Sequence, residues 1–126
     1  MKFKRGTVIE LTPKNFDIKG KKIIHPDLVD KKGMVAYLSN HCGYCVRFAP
    51  DYEEVAATLG KSFPLFYLDC EKYSDFSLNT LNIQGFPTIT YIDRHGKPYR
   101  DYNKNRDQLS MMQDICKEAQ VCSRRK

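Results

Sequence analysis

The sequence predicts an α/β fold in which a central mixed β-sheet is flanked by helices on both faces. The chain of 126 residues is long enough for one domain with a hydrophobic core, and 41% of its residues are hydrophobic. Patterns typical of strands and helices alternate along it in the order β, α, β, α, β, α, β, β, α. Because the last two strands are joined by a tight turn while the others alternate with helices, the sheet is expected to be mixed.

The first third of the chain contains two predicted strands. Thr7–Leu11 alternates enough to form the first strand, and Thr12–Asp17 supplies turn and helix-start residues. Ile23–Val29 is predicted to hold a short helix whose start is complicated by Pro26. Met34–Leu38 has the β-branched and aromatic character of a buried strand.

A long helix is predicted after this strand. Its pattern begins at Cys42 and stops at Gly60. The apolar residues, at spacings of three and four, are Phe48, Tyr52, Val55, Ala56 and Leu59. Pro50 lies inside the helix, where it removes one backbone hydrogen bond and predicts a kink.

The second half of the chain reads as strand, helix and hairpin. Phe63–Asp69 is a nearly continuous apolar run, as expected for a strand covered on both faces, and Ser74–Leu81 is predicted to be a short helix. Thr88–Ile92 and Pro98–Tyr102 are predicted to pair as a hairpin, because Gly96 occupies a turn position expected to need a positive φ.

A last amphipathic helix is predicted to open at Asp107. Its apolar face comprises Leu109, Met112, Ile115, Cys116 and Ala119. Cys116 and Cys122 are six residues apart and would point to different sides of a continuous helix, so a bridge between them requires the helix to end first. We expect Cys116 in the core, Cys122 free in the tail, and Cys70 as an inert buried thiol.

Composition limits the partners to be expected. The net charge of +6 is scattered along the chain, which favours a solvated basic surface over a nucleic-acid site. No apolar run approaches the ~20 residues of a membrane span. We therefore expect neither nucleic acid nor a membrane as a partner. We also expect the protein to be a monomer. The predicted organisation is an N-terminal extension at 1–6, one domain at 7–120 and a basic tail at 121–126, of which Ser123–Lys126 is expected to be disordered.

Cys42, Gly43, Tyr44 and Cys45 form a CxxC motif at the turn from a predicted strand to a predicted helix. A helix N-terminus carries about half a positive elementary charge and unpaired N–H groups, so a thiol there loses its proton more easily. The thiolate is the reactive form of cysteine. Cys42 is therefore the expected nucleophile, and Cys45, one turn along, is expected to resolve the mixed disulfide.

A CxxC pair is also half of a zinc site. Such a site needs a second pair at ligand spacing, which Cys70, Cys116 and Cys122 do not supply. Five cysteines are an odd number, which argues against a disulfide-stapled secreted scaffold. The pattern favours a redox-active dithiol, and no metal ligands are predicted.

Four segments of the chain, VIELTPKNFD, HCGYCVRFAP, GFPTITYID and YNKNRDQLSMM, resemble the catalytic thioredoxin-fold domain of protein disulfide isomerases in the right order. The resemblance covers about Thr7–Gln120. It implies a thioredoxin fold and a thiol-disulfide oxidoreductase that acts on protein or peptide thiols and disulfides without a metal or organic cofactor. Glutathione or a partner reductase would be the further redox partner.

The resemblance also assigns roles to residues. It makes Cys42 the attacking and Cys45 the resolving cysteine, and it identifies Pro87 as the cis-proline opposite the dithiol. The backbone of Phe86 would then pair with an extended substrate strand. Arg106 matches an arginine that is expected to swing toward the resolving cysteine and stabilise its thiolate.

Three departures from the family pattern carry expectations of their own. His41 replaces a tryptophan, and a histidinium there would favour the Cys42 thiolate. Gly43 and Tyr44 differ from the dipeptides of thioredoxins and most disulfide isomerases, and this dipeptide helps to set thiol pKa and redox potential. A buried acid and its lysine partner align with Ala36 and Tyr67, so both halves of that pair are absent and slower exchange is expected.

Two other functions stay open at this stage: a thioredoxin-type reductant, and a non-catalytic thioredoxin-fold binding module. Neither an export signal nor a retention tail is visible in the sequence. This favours a cytoplasmic or viral location over the endoplasmic reticulum, unless the chain is a mature fragment.

Overall fold

A five-stranded mixed β-sheet lies at the centre of the structure, a computed structural model that describes residues 1–122. The strands within residues 1–122 are β1 (Ile9–Glu10), β2 (Phe16–Asp17), β3 (Lys22–Ile23), β4 (Gly33–Leu38), β5 (Leu65–Asp69), β6 (Thr88–Ile92) and β7 (Pro98–Asp101). The α-helices are α1 (Gly43–Leu59) and α2 (Gln108–Ala119). Shorter helical turns span Pro13–Asn15, Pro26–Leu28, Gly60–Ser62 and Phe76–Thr80.

The sheet order is β1-β5-β4-β6-β7. Strands β1 and β4 both run parallel to β5, whereas β6 pairs antiparallel with β4 and with β7. Strands β2 and β3 form a separate two-stranded antiparallel sheet. The predicted α/β class with a mixed central sheet is therefore confirmed, and so is the hairpin of β6 and β7, in which Gly96 has a φ of +84°.

The two faces of the sheet are covered differently. Alternate residues of β4, such as Ala36, pack with α1 and α2 on one face. The residues between them, such as Tyr37, pack on the other face against the β2–β3 hairpin and the short helical turns. None of the helices within residues 1–122 is long and apolar enough to cross a bilayer.

Helix α1 is anchored to the sheet by Tyr52. Its side chain is fully buried, and its hydroxyl donates hydrogen bonds to the carbonyls of Phe66 at 2.7 Å and Met34 at 3.3 Å. The helix ends at Gly60, as predicted, where the backbone has a φ of +59°. These contacts fix the helix relative to β4 and β5, and thus fix the position of its first turn.

Several predicted boundaries were wrong. The first strand is only Ile9–Glu10, and the helix predicted at Ile23–Val29 is instead strand β3 followed by the turn Pro26–Leu28. That turn begins after His25, whose Nδ1 accepts a hydrogen bond from the Asp27 N–H at 3.0 Å. Because a proline can occupy the first position of a helix but cannot donate a hydrogen bond within one, the turn starts at Pro26 and not before it.

The buried face of α2 also differs from the prediction. Met111, Asp114 and Ile115 are the buried residues of this helix, whereas Leu109 is 67% exposed. Asp114 is buried because Tyr91, Arg100 and Lys104 bind its carboxylate at 2.6–2.7 Å. Burial raises the pKa of Asp114, but these hydrogen bonds and charges outweigh it and lower the pKa below its ordinary value. A periodicity count based on apolar residues could not include this aspartate.

The prediction of a free Cys122 was wrong, because Cys116 and Cys122 form a disulfide with a Cα–Cα distance of 5.2 Å. Helix α2 ends at Ala119, and Gln120 adopts the left-handed conformation with a φ of +55°. This turn brings the chain back toward the helix, which a continuous helix would not do. Cys70 is buried, as predicted.

Both ends of the described chain pack against the core. Phe3 lies with its ring centroid 4.9 Å from that of Tyr67, within the segment predicted as an extension. Val121 and Cys122 pack against the same cluster at the start of the predicted tail. The expectation for Ser123–Lys126 lies outside the described residues.

We expect the Cys116–Cys122 disulfide to contribute about 2 kcal/mol to the free energy of unfolding, because it closes a short loop in the unfolded chain. The Cys122→Ser variant should lose this amount in urea denaturation without reductant. The Cys122→Ser variant and the reference protein with Cys122 intact should both carry Cys42→Ser and Cys45→Ala, so that the dithiol does not respond to redox conditions.

Reductant provides the control for this measurement. It should remove the stability difference between the two proteins, because it opens the bridge in one and leaves the other unchanged. Equal stability of both proteins without reductant would contradict the expected contribution of the bridge.

Candidate active site

The CxxC motif lies where strand β4 ends and helix α1 begins. After Leu38 the chain turns, with the Ser39 carbonyl accepting a hydrogen bond from the Cys42 N–H at 3.1 Å. Cys42 is the N-cap of α1, and its carbonyl accepts the first helical hydrogen bond, from the Val46 N–H at 3.1 Å. Cys45 lies within the first turn and is fully buried, whereas Cys42 is partly exposed. Both are present as free thiols.

The environment of Cys42 favours its thiolate. Partial burial acts to raise the pKa of Cys42, but hydrogen bonds from the Cys45 backbone, the Cys45 thiol and the Tyr44 backbone outweigh burial and lower this pKa below its ordinary value. The positive charge of Arg106 lowers it further. The position of Cys42 at the helix start thus favours its thiolate form.

The environment of Cys45 has the opposite effect. Burial raises the pKa of Cys45 to about 12, and the adjacent Cys42 sulfur adds to the increase, while a backbone hydrogen bond at Ser39 opposes it. Cys45 is therefore protonated at neutral pH and can donate to the Cys42 thiolate. One turn of helix holds two thiols whose proton affinities differ strongly.

The sheet beneath Cys45 carries no charged pair at the two positions identified from the sequence. Ala36 on β4 and Tyr67 on β5 are direct register partners, and both belong to the buried cluster that contains Cys45. Burial raises the pKa of Tyr67 to about 12, with the neighbouring Glu10 adding to the increase. The phenol is therefore neutral at physiological pH and offers no base to the Cys45 thiol.

Phe86 and Pro87 lie against the dithiol. The peptide bond between them is cis, and the Phe86 carbonyl accepts a hydrogen bond from the Cys42 thiol at 3.4 Å. Phe86 is 37% exposed, and β6 begins directly after Pro87. Since β6 pairs with β4, whose end leads to Cys42, the register of the sheet places the cis-proline loop beside Cys42.

Two arginines, Arg47 and Arg106, lie over the ring of Tyr44, and the sequence predicts a role for Arg106 alone. The Arg106 Cζ lies 5.8 Å from the ring centroid of Tyr44, and the Arg47 Cζ lies 4.9 Å from it. Tyr44 is 61% exposed. The sequence signal for Arg47 was its spacing of three from Tyr44, which puts both side chains on one face of a helix.

His41 lies beside Glu71, with its Nδ1 3.3 Å from the carboxylate Oε2. Its side chain is 81% exposed. When protonated, the imidazole is therefore neutralised in part by this carboxylate. The proposed influence of His41 on the Cys42 thiolate stays a prediction.

The remaining candidate donors are dispersed. Within residues 1–122, no three histidine, cysteine or acidic side chains lie close enough together to hold a metal ion. The Cys70 thiol donates a hydrogen bond to the Leu68 carbonyl at 3.6 Å, and burial raises the pKa of Cys70. This thiol is therefore protonated and shielded.

The chain is similar in sequence to a known family and to proteins that contain related domains. The family model described as Thioredoxin matches residues 7–117. The chain is 30% identical over 128 residues to protein disulfide-isomerase tigA of Aspergillus niger, covering 92% of this chain and 31% of that protein. It is 31% identical over 105 residues to human protein disulfide-isomerase A4, covering 81% and 15% respectively.

A solved structure shares the fold. The crystal structure of the Trx4 domain of ERdj5 superposes with a TM-score of 0.67 at 19% identity, covering 89% of this chain and 95% of that one. The chain spans about a third or less of the curated relatives just described. The resemblance inferred from the sequence is confirmed.

Replacement of Arg106 by glutamine should raise the pKa of Cys42, because a positive charge that stabilises its thiolate is removed. We expect the rate of Cys42 alkylation by iodoacetamide at neutral pH to fall roughly two- to fivefold. The alkylation profile should move to higher pH, and Arg106→Lys should retain most of the wild-type rate.

Arg94→Gln is the matched control, since Arg94 contacts Asp30 at the opposite end of β4. It should leave the alkylation profile unchanged. If Arg106→Gln behaved like this control, the electrostatic role of Arg106 would be excluded.

Proposed function

The chain belongs to the thioredoxin family, and from this premise we propose that it is a thiol-disulfide oxidoreductase similar to the catalytic domains of protein disulfide isomerases. It would exchange disulfides in protein substrates through Cys42 and Cys45, without a metal or organic cofactor. The observation that carries this proposal is the contrast between the two sulfurs: a partly exposed thiol of lowered pKa at the helix start beside a buried thiol of raised pKa.

The first step uses the partly exposed sulfur. The Cys42 thiolate attacks one sulfur of a substrate disulfide, forming a new S–S bond while the other substrate sulfur leaves as a thiolate. The backbone N–H groups that stabilise the Cys42 thiolate also lower its nucleophilicity, but the larger thiolate fraction at neutral pH favours attack. The Phe86 carbonyl, 3.4 Å from Cys42, lies where an extended substrate strand would pair with the loop.

The second step uses the buried sulfur. Cys45 loses its proton and attacks the Cys42 sulfur, so that the Cys42–Cys45 disulfide forms and the remaining substrate sulfur leaves as a thiolate. The substrate gains two electrons and the dithiol loses two. In isomerisation, a second substrate thiolate displaces Cys42 before Cys45 acts, and the dithiol is regenerated.

A test of the proposed function uses three variants and two assays. We expect the wild-type protein to reduce insulin and to refold a scrambled disulfide protein, and Cys42→Ser to lose roughly a hundredfold or more of both activities because the nucleophile is gone. Cys45→Ala should accumulate mixed disulfides that a nonreducing gel detects. Cys70→Ala is the matched control and should retain activity, since this buried thiol lies outside the proposed mechanism.

The equilibrium of the dithiol with glutathione decides the direction of electron flow. A strongly reducing potential would identify a thioredoxin-type reductant fed by a partner reductase. A wild-type protein that folds normally but neither reduces insulin nor refolds the scrambled protein would instead indicate a non-catalytic binding module.

The resolving step should depend strongly on pH. Cys45 is protonated at neutral pH because burial raises its pKa to about 12, and Ala36 and Tyr67 supply no buried base beneath it. Below a pKa of this size the thiolate fraction rises tenfold per pH unit. We therefore expect the single-turnover rate of mixed-disulfide resolution to rise by about tenfold per unit between about pH 6 and 9.

Tyr67→Phe is the matched variant for this measurement, because it removes only the phenol hydroxyl. A slower resolution with the same slope would show that the hydroxyl relays the proton, and an unchanged rate would leave that role to water. A wild-type profile that is flat across this range would contradict this expectation and would show that another group accepts the Cys45 proton.

A further inference from the structure

Tyr44, Arg47 and Arg106 form a positively charged shelf beside the nucleophile, and we call this group the arginine shelf. The two guanidinium groups lie 4.9 and 5.8 Å from the centroid of the Tyr44 ring. An Arg47 nitrogen also lies 3.5 Å from the position that a Cβ would occupy on Gly43, so this side chain extends over the dithiol turn. All three shelf residues are exposed.

Neither guanidinium group is neutralised by a carboxylate within residues 1–122. The ion pairs in this part of the chain involve other basic residues, and Arg100 and Lys104 are both bound to Asp114. The acid next to Arg106 in sequence is Asp107, whose carboxylate is used to cap α2 by accepting a hydrogen bond from the Ser110 N–H at 3.0 Å. The donors of Arg47 and Arg106 are therefore available to an external group.

The position of the shelf ties it to the substrate path. Arg106 also lines a cavity of about 190 Å³ beside Pro87 and Thr88, at the start of β6. Cys42 lies between this loop and the first turn of α1, where Tyr44 and Arg47 project. A peptide strand that presents its disulfide to Cys42 thus has one flank against Phe86 and the other within reach of the shelf.

We propose that the arginine shelf selects substrates that carry a carboxylate close to the reacting disulfide. A guanidinium binds a carboxylate through two parallel hydrogen bonds, which are stronger than neutral ones. Stacking on Tyr44 restricts both arginines before the substrate arrives, so less side-chain freedom is lost on binding. The positive charge also accelerates encounter with an acidic segment, and this effect decreases with salt.

A carboxylate near a disulfide has two natural sources. One is an aspartate or glutamate of a protein substrate, and the other is the carboxylate groups of glutathione disulfide. The extended path past Phe86 favours the protein source, since a strand that pairs with this loop carries side chains on both sides of its cysteine. The inference rests on the proposed exchange activity, and the experiment below separates the failure of either one.

The experiment compares two peptides of equal length, each closed by one disulfide, in which glutamate or glutamine flanks the cysteines. Their second-order rates of reduction by the Cys42–Cys45 dithiol are measured at low and high ionic strength. For the wild-type protein we expect the glutamate peptide to react roughly three- to tenfold faster at low salt, with the ratio falling toward one at high salt.

Variants isolate the contribution of the shelf. Arg47→Gln should lower the ratio of the two rates toward one, with Arg106 accounting for what remains, and Arg47→Lys should restore part of the loss. Arg106→Gln raises the Cys42 pKa and therefore lowers the rate for both peptides. A general effect of this kind on Cys42 does not change the ratio of the glutamate-peptide rate to the glutamine-peptide rate, so this ratio is the readout. Arg94→Gln, at the far end of β4, should keep the wild-type ratio.

Each result has a defined meaning. An equal rate for both peptides in the wild-type protein, or a ratio that Arg47→Gln leaves unchanged, overturns selection by the shelf. If Arg47→Gln slows reaction with glutathione disulfide and does not change the peptide ratio, the protein source is overturned and the shelf serves glutathione. If neither peptide is reduced, the proposed exchange activity fails instead.

Discussion

The reactivity of this site depends on the position of one sulfur, that of Cys42, at the start of helix α1. The N–H groups at Tyr44 and Cys45 and the Cys45 thiol act on Cys42, and they outweigh the cost of burying a negative charge there. The same turn carries Cys45 into the core, where burial dominates. One backbone geometry therefore lowers the pKa of one thiol and raises that of its neighbour, and a sequential exchange needs this difference.

The sheet keeps this geometry in place. Tyr52 binds carbonyls of β4 and β5, which fixes α1 against the strand that leads into it. The pairing of β6 with β4 then brings the cis-proline loop to the same edge, although Phe86 and Cys42 are 44 residues apart in sequence. Loss of either anchor would leave the Cys42 turn and the cis-proline loop joined by weak contacts such as that between the Cys42 thiol and the Phe86 carbonyl. The stability of the core and the chemistry of the dithiol are for this reason closely connected.

Most of the site could be predicted from the sequence because its signals are local. An apolar run followed by CxxC and a helical pattern places Cys42 at a helix start, and the turn at Gly96 identifies the hairpin. Features that depend on packing could not be predicted in this way.

The pairing of Cys122 required α2 to end at Ala119, and nothing in the residues there requires Gln120 to adopt the left-handed conformation. Strands β2 and β3 are two residues long, too short for a periodic pattern. Arg106 reaches Tyr44 only through the folded sheet, 62 positions away along the chain from Tyr44.

The distribution of charge around the dithiol explains how the departures from the family pattern fit together. Beneath Cys45, Ala36 and Tyr67 form a neutral layer, and a lone buried charge there would cost several kcal/mol. Above the dithiol, the guanidinium groups of the arginine shelf stand in solvent, where a charge costs little to maintain. Stabilisation of the Cys42 thiolate therefore comes from the helix start and from Arg106 of the arginine shelf. Neither of these stabilises the Cys45 thiolate. In the proposed exchange, such a site would favour capture of a disulfide over its release by Cys45. A longer-lived mixed disulfide gives a second substrate thiolate more time to displace Cys42, and this step distinguishes isomerisation from simple reduction.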